Sequence, residues 1–317
     1  MTSPFRFLAA ALLLLATQPA LAQSEEAERL RIHGSNLLGS HLAPMLVENW
    51  LRQIGYTQIK RRELGSTRTE IGAVRDGEAL VVEIDKHGTA SGFKAIIDDE
   101  ADISMSAREP NATEIDDAWQ LGNLRSATQE WVVGLDGLVV LVAPGNPLSA
   151  VSVQQLRDLV SGKLANWKQL GGADGRISVH TLPAASGTQE AIARLLSTGK
   201  AAQSGLVRHR SAAEVVAAVQ ADPGSIGIVS LRAPRGKLRA VAIRSGGRSF
   251  APDTLAVASE DYPLVRRVYL HTPQLVIALG RSFAQWVVSP AGQAVVERSQ
   301  FASLAIRPLA PARIDNA

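Results

Sequence analysis

The sequence predicts an α/β fold, and three observations carry that expectation. Short apolar runs of strand length alternate with segments whose apolar residues recur at helical spacing. Turns bearing glycine or proline separate many of them. The 317-residue length allows two domains at roughly 100–200 residues each, or one large one.

The elements follow in order. Arg6, the apolar run 7–16 (FLAAALLLLA) and Ala20-Leu21-Ala22 before Gln23 predict a signal peptide over 1–22, cleaved after Ala22. That run is shorter than the roughly 18 residues a spanning helix needs, so the mature chain is expected to be soluble and periplasmic or secreted. Arg31-Ile32-His33 predicts a strand leading into Gly34-Ser35-Asn36. Leu42, Leu46, Trp50 and Ile54 recur every fourth residue and predict a helix. Pro44 confines its start to near Ser40, and Gly55 closes it. Residues 79–84 (ALVVEI) predict a strand, 85–92 a polar loop, and 93–97 a helix. Residues 102–106 alternate as a strand, and 131–142 (WVVGLDGLVVLV) form the most strand-rich run, broken by Pro144, Gly145 and Pro147. Ser152 is an N-cap for a helix over 153–160 that ends at Ser161-Gly162. Strands are predicted at 177–182, 226–229, 238–243 and 268–270. Helices are predicted after 186–188, over 214–219, and around 284–288 and 293–297, with a frayed tail from Pro308.

Composition excludes several classes. Lys and Arg total 33 against 30 Asp and Glu, a net charge of +3, with no polybasic arm or acidic tail. At 46% hydrophobic and 20% charged, the composition is globular rather than disordered. With no cysteine there can be no disulfide, thiolate metal site, cysteine nucleophile or lipid-anchored cysteine. The six histidines are scattered outside metal-binding spacings, and no nucleophile elbow or Walker A sequence occurs. The chain is therefore not expected to be an enzyme or to hold a cofactor or metal, and nothing points to nucleic acid. The five tryptophans are spread along the chain and read as core residues.

Three loops pair small hydroxyl residues with glycine: 34–36 (GSN), 88–92 (GTASG) and 186–188 (SGT). Each lies at a strand-to-helix handover, the ligand edge of open α/β sheets. Helix N-termini there offer unpaired N–H groups to a compact oxyanion. Arg108, just after Ser106, could add a bidentate charge-assisted pair. Taken singly, Ser186-Gly187-Thr188 also reads as a plain N-cap, and Arg108 as a surface arginine.

Over about Leu30–Leu304 the chain resembles the periplasmic phosphate-binding receptors of ABC transporters, the PstS-like group. The resemblance is carried by 102–108 (DISMSAR), 136–142 (DGLVVLV), 154–172 (QQLRDLVSGKLANWKQLGG), 186–188 (SGT), 222–229 (DPGSIGIV), 261–270 (DYPLVRRVYL) and 289–293 (SPAGQ). It is most similar to the subgroup often fused to an OmpA-like domain, which is not expected here. The resemblance implies a two-lobed periplasmic-binding-protein-like fold with a ligand cleft between the lobes and two crossover segments, near 136–143 and 226–231. Lobe one would comprise 23–136 plus 230–317, and lobe two 137–229. The implied anion contacts are Gly34, Ser35, Asn36, Gly88, Thr89, Ala90, Ser91, Ser106, Arg108, Ser186, Gly187 and Thr188. Implied partners are phosphate or a related oxyanion and the membrane subunits of an ABC transporter, with the receptor itself a monomer.

The chain departs from the pattern in four places. The family commonly has threonine at Leu37, serine or aspartate at Ala107, arginine at Leu182, and acidic residues at Pro183 and Ala184. Losing an arginine at an anion site costs about 1.5–3 kcal/mol, roughly ten- to a hundredfold in affinity. Two readings follow: an exported receptor for phosphate or a similar oxyanion, or the same fold reused for another ligand or for a protein or envelope contact.

Overall fold

The computed structural model describes residues 27–184, 186–196 and 205–305. The expected signal peptide and the tail from Pro308 lie outside the described residues. The chain opens with strand β1 (Glu28–Gly34), the single turn α1 (Asn36–Gly39) and helix α2 (Leu42–Gln53). Pro44 lies in the first turn of α2, where no intrahelical N–H bond is lost. Leu42, Leu46 and Trp50 form its buried stripe, and Trp50 meets Phe283 edge-on with ring centroids 5.2 Å apart. Strands β2 (Thr57–Leu64), β3 (Arg68–Arg75) and β4 (Glu78–Asp85) form an antiparallel meander. Helix α3 (Thr89–Ile97), strand β5 (Ile103–Ser106) and helix α4 (Ala112–Asp117) follow. α3 starts at Thr89, not at Phe93, so most of the expected 88–92 loop is its first turn.

The thirteen-residue strand β6 (Glu130–Val142) then runs through both halves of the molecule. Its residues from Val133 onward are buried, as a mostly apolar run requires of a central strand. Beyond it come β7 (Ala150–Ser152), α5 (Val153–Val160), β8 (Ser178–Thr181) and α6 (Gly187–Leu195). α5 begins with a capping box in which Ser152 and Gln155 exchange side-chain bonds to backbone N–H groups. Then follow β9 (Leu206–Arg208), α7 (Ala212–Ala221), β10 (Ser225–Ser230), β11 (Arg239–Ser245), β12 (Arg248–Phe250) and α8 (Thr254–Ala258). The chain closes with β13 (Val265–His271), α9 (Ala278–Val288) and α10 (Pro290–Arg298).

The strand order is β2-β3-β4-β1-β5-β13-β6-β10-β8-β9. Along β6, residues 130–137 pair with β13, while residues 138–142 pair with β10 on one side and β11 on the other. The result is two lobes, each with its own core. In one, α2, α9 and α10 cover β1, β3, β4 and β5 around Leu30, Ile32, Trp50 and Phe283. In the other, Val140, Leu156, Ile192 and Ile226 pack with Val241, Ile243, Val257, Tyr262 and Leu264. The two-lobed α/β fold expected from the sequence is present. Of the tryptophans, Trp50, Trp167 and Trp286 are buried, whereas Trp119 is 72% exposed, contrary to a core role.

Candidate functional site

Three of the nominated segments are hydrogen-bonded to one another at the C-terminal ends of the parallel strands β1, β4 and β5. Ser35 N donates to Met105 O at 2.9 Å, and Gly88 N donates to Gly34 O at 2.9 Å. Ala107 N donates to Thr89 Oγ1 at 3.2 Å. The contacts are too close for side chains at two points. A Cβ on Gly34, whose φ is 132°, would lie 2.2 Å from Met105 O. A Cβ on Gly92 would lie 2.7 Å from both Gly34 Cα and Ser104 Oγ. Glycine at these two positions therefore lets the first turn of α3 sit directly against the end of β1.

The hydroxyls organise the local backbone. Ser35 Oγ accepts from Leu37 N at 3.2 Å, and Ser91 Oγ donates to Gly88 O at 2.8 Å. Ser106 Oγ donates to Arg108 O and accepts from Arg108 N. Ser35, Thr89 and Ser106 are buried, while Asn36 and Ala90 are exposed.

The fourth segment comes from the other lobe. Ser186 caps α6 by accepting from Gln189 N at 3.2 Å, Gly187 opens the helix, and Thr188 is buried. A Cβ on Gly187 would lie 3.5 Å from Leu37 Cβ and 3.6 Å from Arg266 Nη1. The start of α6 therefore faces the loop after β1, and the four nominated segments converge. Of the departures from the family pattern, Leu37 stands at this meeting point and Ala107 is buried beside Thr89. Leu182 instead packs against a small apolar cluster of its own lobe, built from β6, α7 and β10 residues such as Val139, Val215 and Val229.

Arg108 also reaches between the lobes, but four of its five N–H groups go to protein acceptors. Nη1 and Nη2 bind the two oxygens of Glu114 at 2.6 and 2.7 Å. Nε donates to Glu190 Oε1 at 2.7 Å, on the first turn of α6, and Nη1 also donates to Glu109 O. Burial opposes its charge, but the hydrogen bond to Glu114 and the charges of Glu114 and Glu190 outweigh that and raise its pKa.

A second charged cluster lies where the chain passes between the lobes, and the sequence reading did not nominate it. Arg266 on β13 is opposite Asp136 on β6 and donates to its Oδ2 from Nε at 3.1 Å and from Nη2 at 2.7 Å. Arg266 Nη1 donates to Gly187 O at the start of α6. Ser230 Oγ donates to Asp136 Oδ1 at 2.7 Å, and Arg232 Nε stands 3.9 Å from that same oxygen. Burial is the main force lowering the Arg232 pKa; Asp136 opposes it and Arg266 adds to it. The sequence does carry a signal for this cluster. Asp136 is a charged residue inside an otherwise apolar strand run, the pattern that demands a buried partner, whereas Arg266, next to Arg267, carries no such signal.

Comparisons with known proteins agree with this architecture. A family model described as a PBP superfamily domain matches residues 74–291. The phosphate-binding protein PstS of Borreliella burgdorferi is 23% identical over 229 residues, covering 69% of this chain and 78% of that protein. An ABC-type phosphate transport receptor from Vibrio cholerae superposes with a TM-score of 0.69 at 20% identity, covering 88% of this chain and all of that one. A putative phosphate ABC transporter substrate-binding protein from Clostridium perfringens, solved with bound phosphate, gives a TM-score of 0.65 at 19% identity over the same shares. At these identities the structural likeness establishes the fold.

Proposed function

The chain belongs to the PBP superfamily, and from that premise we propose that it is an exported receptor that captures phosphate or a similar oxyanion between its lobes for an ABC-type uptake system. The observation that carries this reading is the convergence of 34–36, 88–92 and 106–107 in one lobe with 186–188 of the other. Backbone N–H groups at the starts of α3 and α6 and the hydroxyls of Ser35 and Thr188 form a site with few full charges, which suits a small anion. The names of the relatives support the same reading: they are phosphate-binding proteins and transport receptors rather than enzymes.

In this proposal lobe two extends from residue 137 to about 264, a later return than the expected crossing near 230. The reason is packing: β11 hydrogen-bonds to β6 and β7, and Val257, Tyr262 and Leu264 join the second core. Lobe one then comprises the residues up to 136 and those from β13 onward. The signal peptide over 1–22 would deliver the chain out of the cytoplasm. Among the described residues no helix is long and apolar enough to cross a membrane.

The test is titration calorimetry of the chain from Gln23 onward, stripped of carried-over ligand, with phosphate and with sulfate. Micromolar or tighter phosphate binding is expected. No heat and no thermal stabilisation with either anion at millimolar concentration would overturn the receptor reading.

A further inference from the structure

The two charged clusters between the lobes differ in sign, and that difference bears on which arginine meets the anion. At Arg108, the carboxylates of Glu114 and Glu190 surround one guanidinium. At Asp136, a single carboxylate faces the guanidinium groups of Arg266 and Arg232. An incoming anion is repelled by the first arrangement and attracted by the second.

Donor accounting gives the same answer. A guanidinium has five N–H groups. Arg266 spends two on Asp136 and one on Gly187 O, so one N–H on each terminal nitrogen has no partner among the described residues. Its side chain is only 1% exposed, so water does not readily serve those donors. Leaving buried donors unpaired is costly, and two terminal N–H groups form the fork that binds an oxyanion in bidentate fashion.

Topology puts this group at the right edge. β13 is antiparallel to β5, with Tyr269 opposite Ser106, the last residue of β5. Residues 268 back to 265 therefore extend past the C-terminal end of β5, on the side where the nominated loops gather. There Arg266 Nη1 lies beside Gly187 at the start of α6, a residue that Leu37 also approaches.

Building on the phosphate reading above, we infer that Arg266 is the cation that contacts the bound anion, in place of the family arginine that Leu182 replaces. Asp136 orients it, and Arg108 acts as a tie between the lobes.

The experiment is phosphate titration calorimetry on the mature chain and three variants, with urea unfolding of each. The variants are Arg266→Lys, the neutral pair Asp136→Asn with Arg266→Gln, and Arg108→Gln. Arg266→Lys is expected to weaken binding about tenfold and the neutral pair about a hundredfold or more, whereas Arg108→Gln weakens it less than about fivefold. The neutral pair removes the buried ion pair as a unit but takes from Arg232 its nearby carboxylate, so its urea unfolding curve is read before its affinity. A purely structural role is separated by the arginine 15Nε–H spectrum of the wild-type chain, in which Arg266 and Arg108 are assigned by their loss in Arg266→Lys and Arg108→Lys. Arg266 is expected to shift on phosphate addition, a result that does not depend on any variant binding. The inference is overturned if the Arg266 resonance stays still while that of Arg108 moves, or if the folded Arg266 variants bind like wild type. A wild-type chain that binds no phosphate overturns the receptor reading instead.

Discussion

Leu182 stands where the resemblance expects an arginine. It packs against the apolar cluster of lobe two that includes Val139, Val215 and Val229. An arginine there would lose that apolar contact. Leu182→Arg is therefore expected to lower stability by about 1–2 kcal/mol and to change phosphate affinity less than threefold; urea unfolding and calorimetry check both. A tenfold gain in affinity would show that the site lacks a cation. The hydroxyl loops were legible in the sequence because their signals are local: Ser186 caps the helix it precedes, and Gly34 and Gly92 stand where a Cβ would clash. Arg266 was not, because its role depends on Asp136, 130 residues earlier, which reaches it only through the pairing of β13 with β6. Arg108 was legible as a candidate, but its carboxylate partners Glu114 and Glu190 were not. They arrive from a different helix and a different lobe.

At the scale of elements, strands with a clear periodicity were readable, and strands without one were not. β6 and β10 were found within a residue or so, and α5 fell on its expected bounds, because an apolar run or a capping box marks each. The β2–β3 hairpin escaped the sequence reading. β2 (TQIKRREL) is charged and largely exposed, as an edge strand that must discourage pairing with other chains tends to be. The paired strands β8 and β9 also bring together two histidines with no sequence signature. His180 Nδ1 and His209 Nε2 are 2.8 Å apart and their rings stack. Burial, and then the neighbouring His209, hold the His180 pKa below its usual 6.5. The unfolded chain therefore takes up this proton first. The stabilisation is fully present above pH 6.5 and is lost as pH falls from there through the lower folded value. Urea midpoints measured between pH 7.5 and 5 should fall less steeply in His180→Gln than in wild type. Equal slopes would mean that the pair does not titrate on unfolding.

At the scale of the whole molecule, sheet order and chain order part company at β13. This strand lies between β5 and β6, although about 120 residues of chain separate it from β6. A ribosome adding about 5–20 residues per second delivers β13 on the order of ten seconds after β6. Until then the lower half of β6 has no partner in the first lobe, and β5 has a bare edge. α9 and α10, which roof that lobe, emerge later still. A chain ending at Leu264 is thus expected to keep a first lobe that proteases digest, whereas one ending at Ala305 should resist digestion throughout. A protease-resistant first lobe in the shorter chain would contradict this. If the chain is exported, the late strand acts as a timer: it keeps the nascent polypeptide threadable through a narrow translocation pore until nearly all of it has been made.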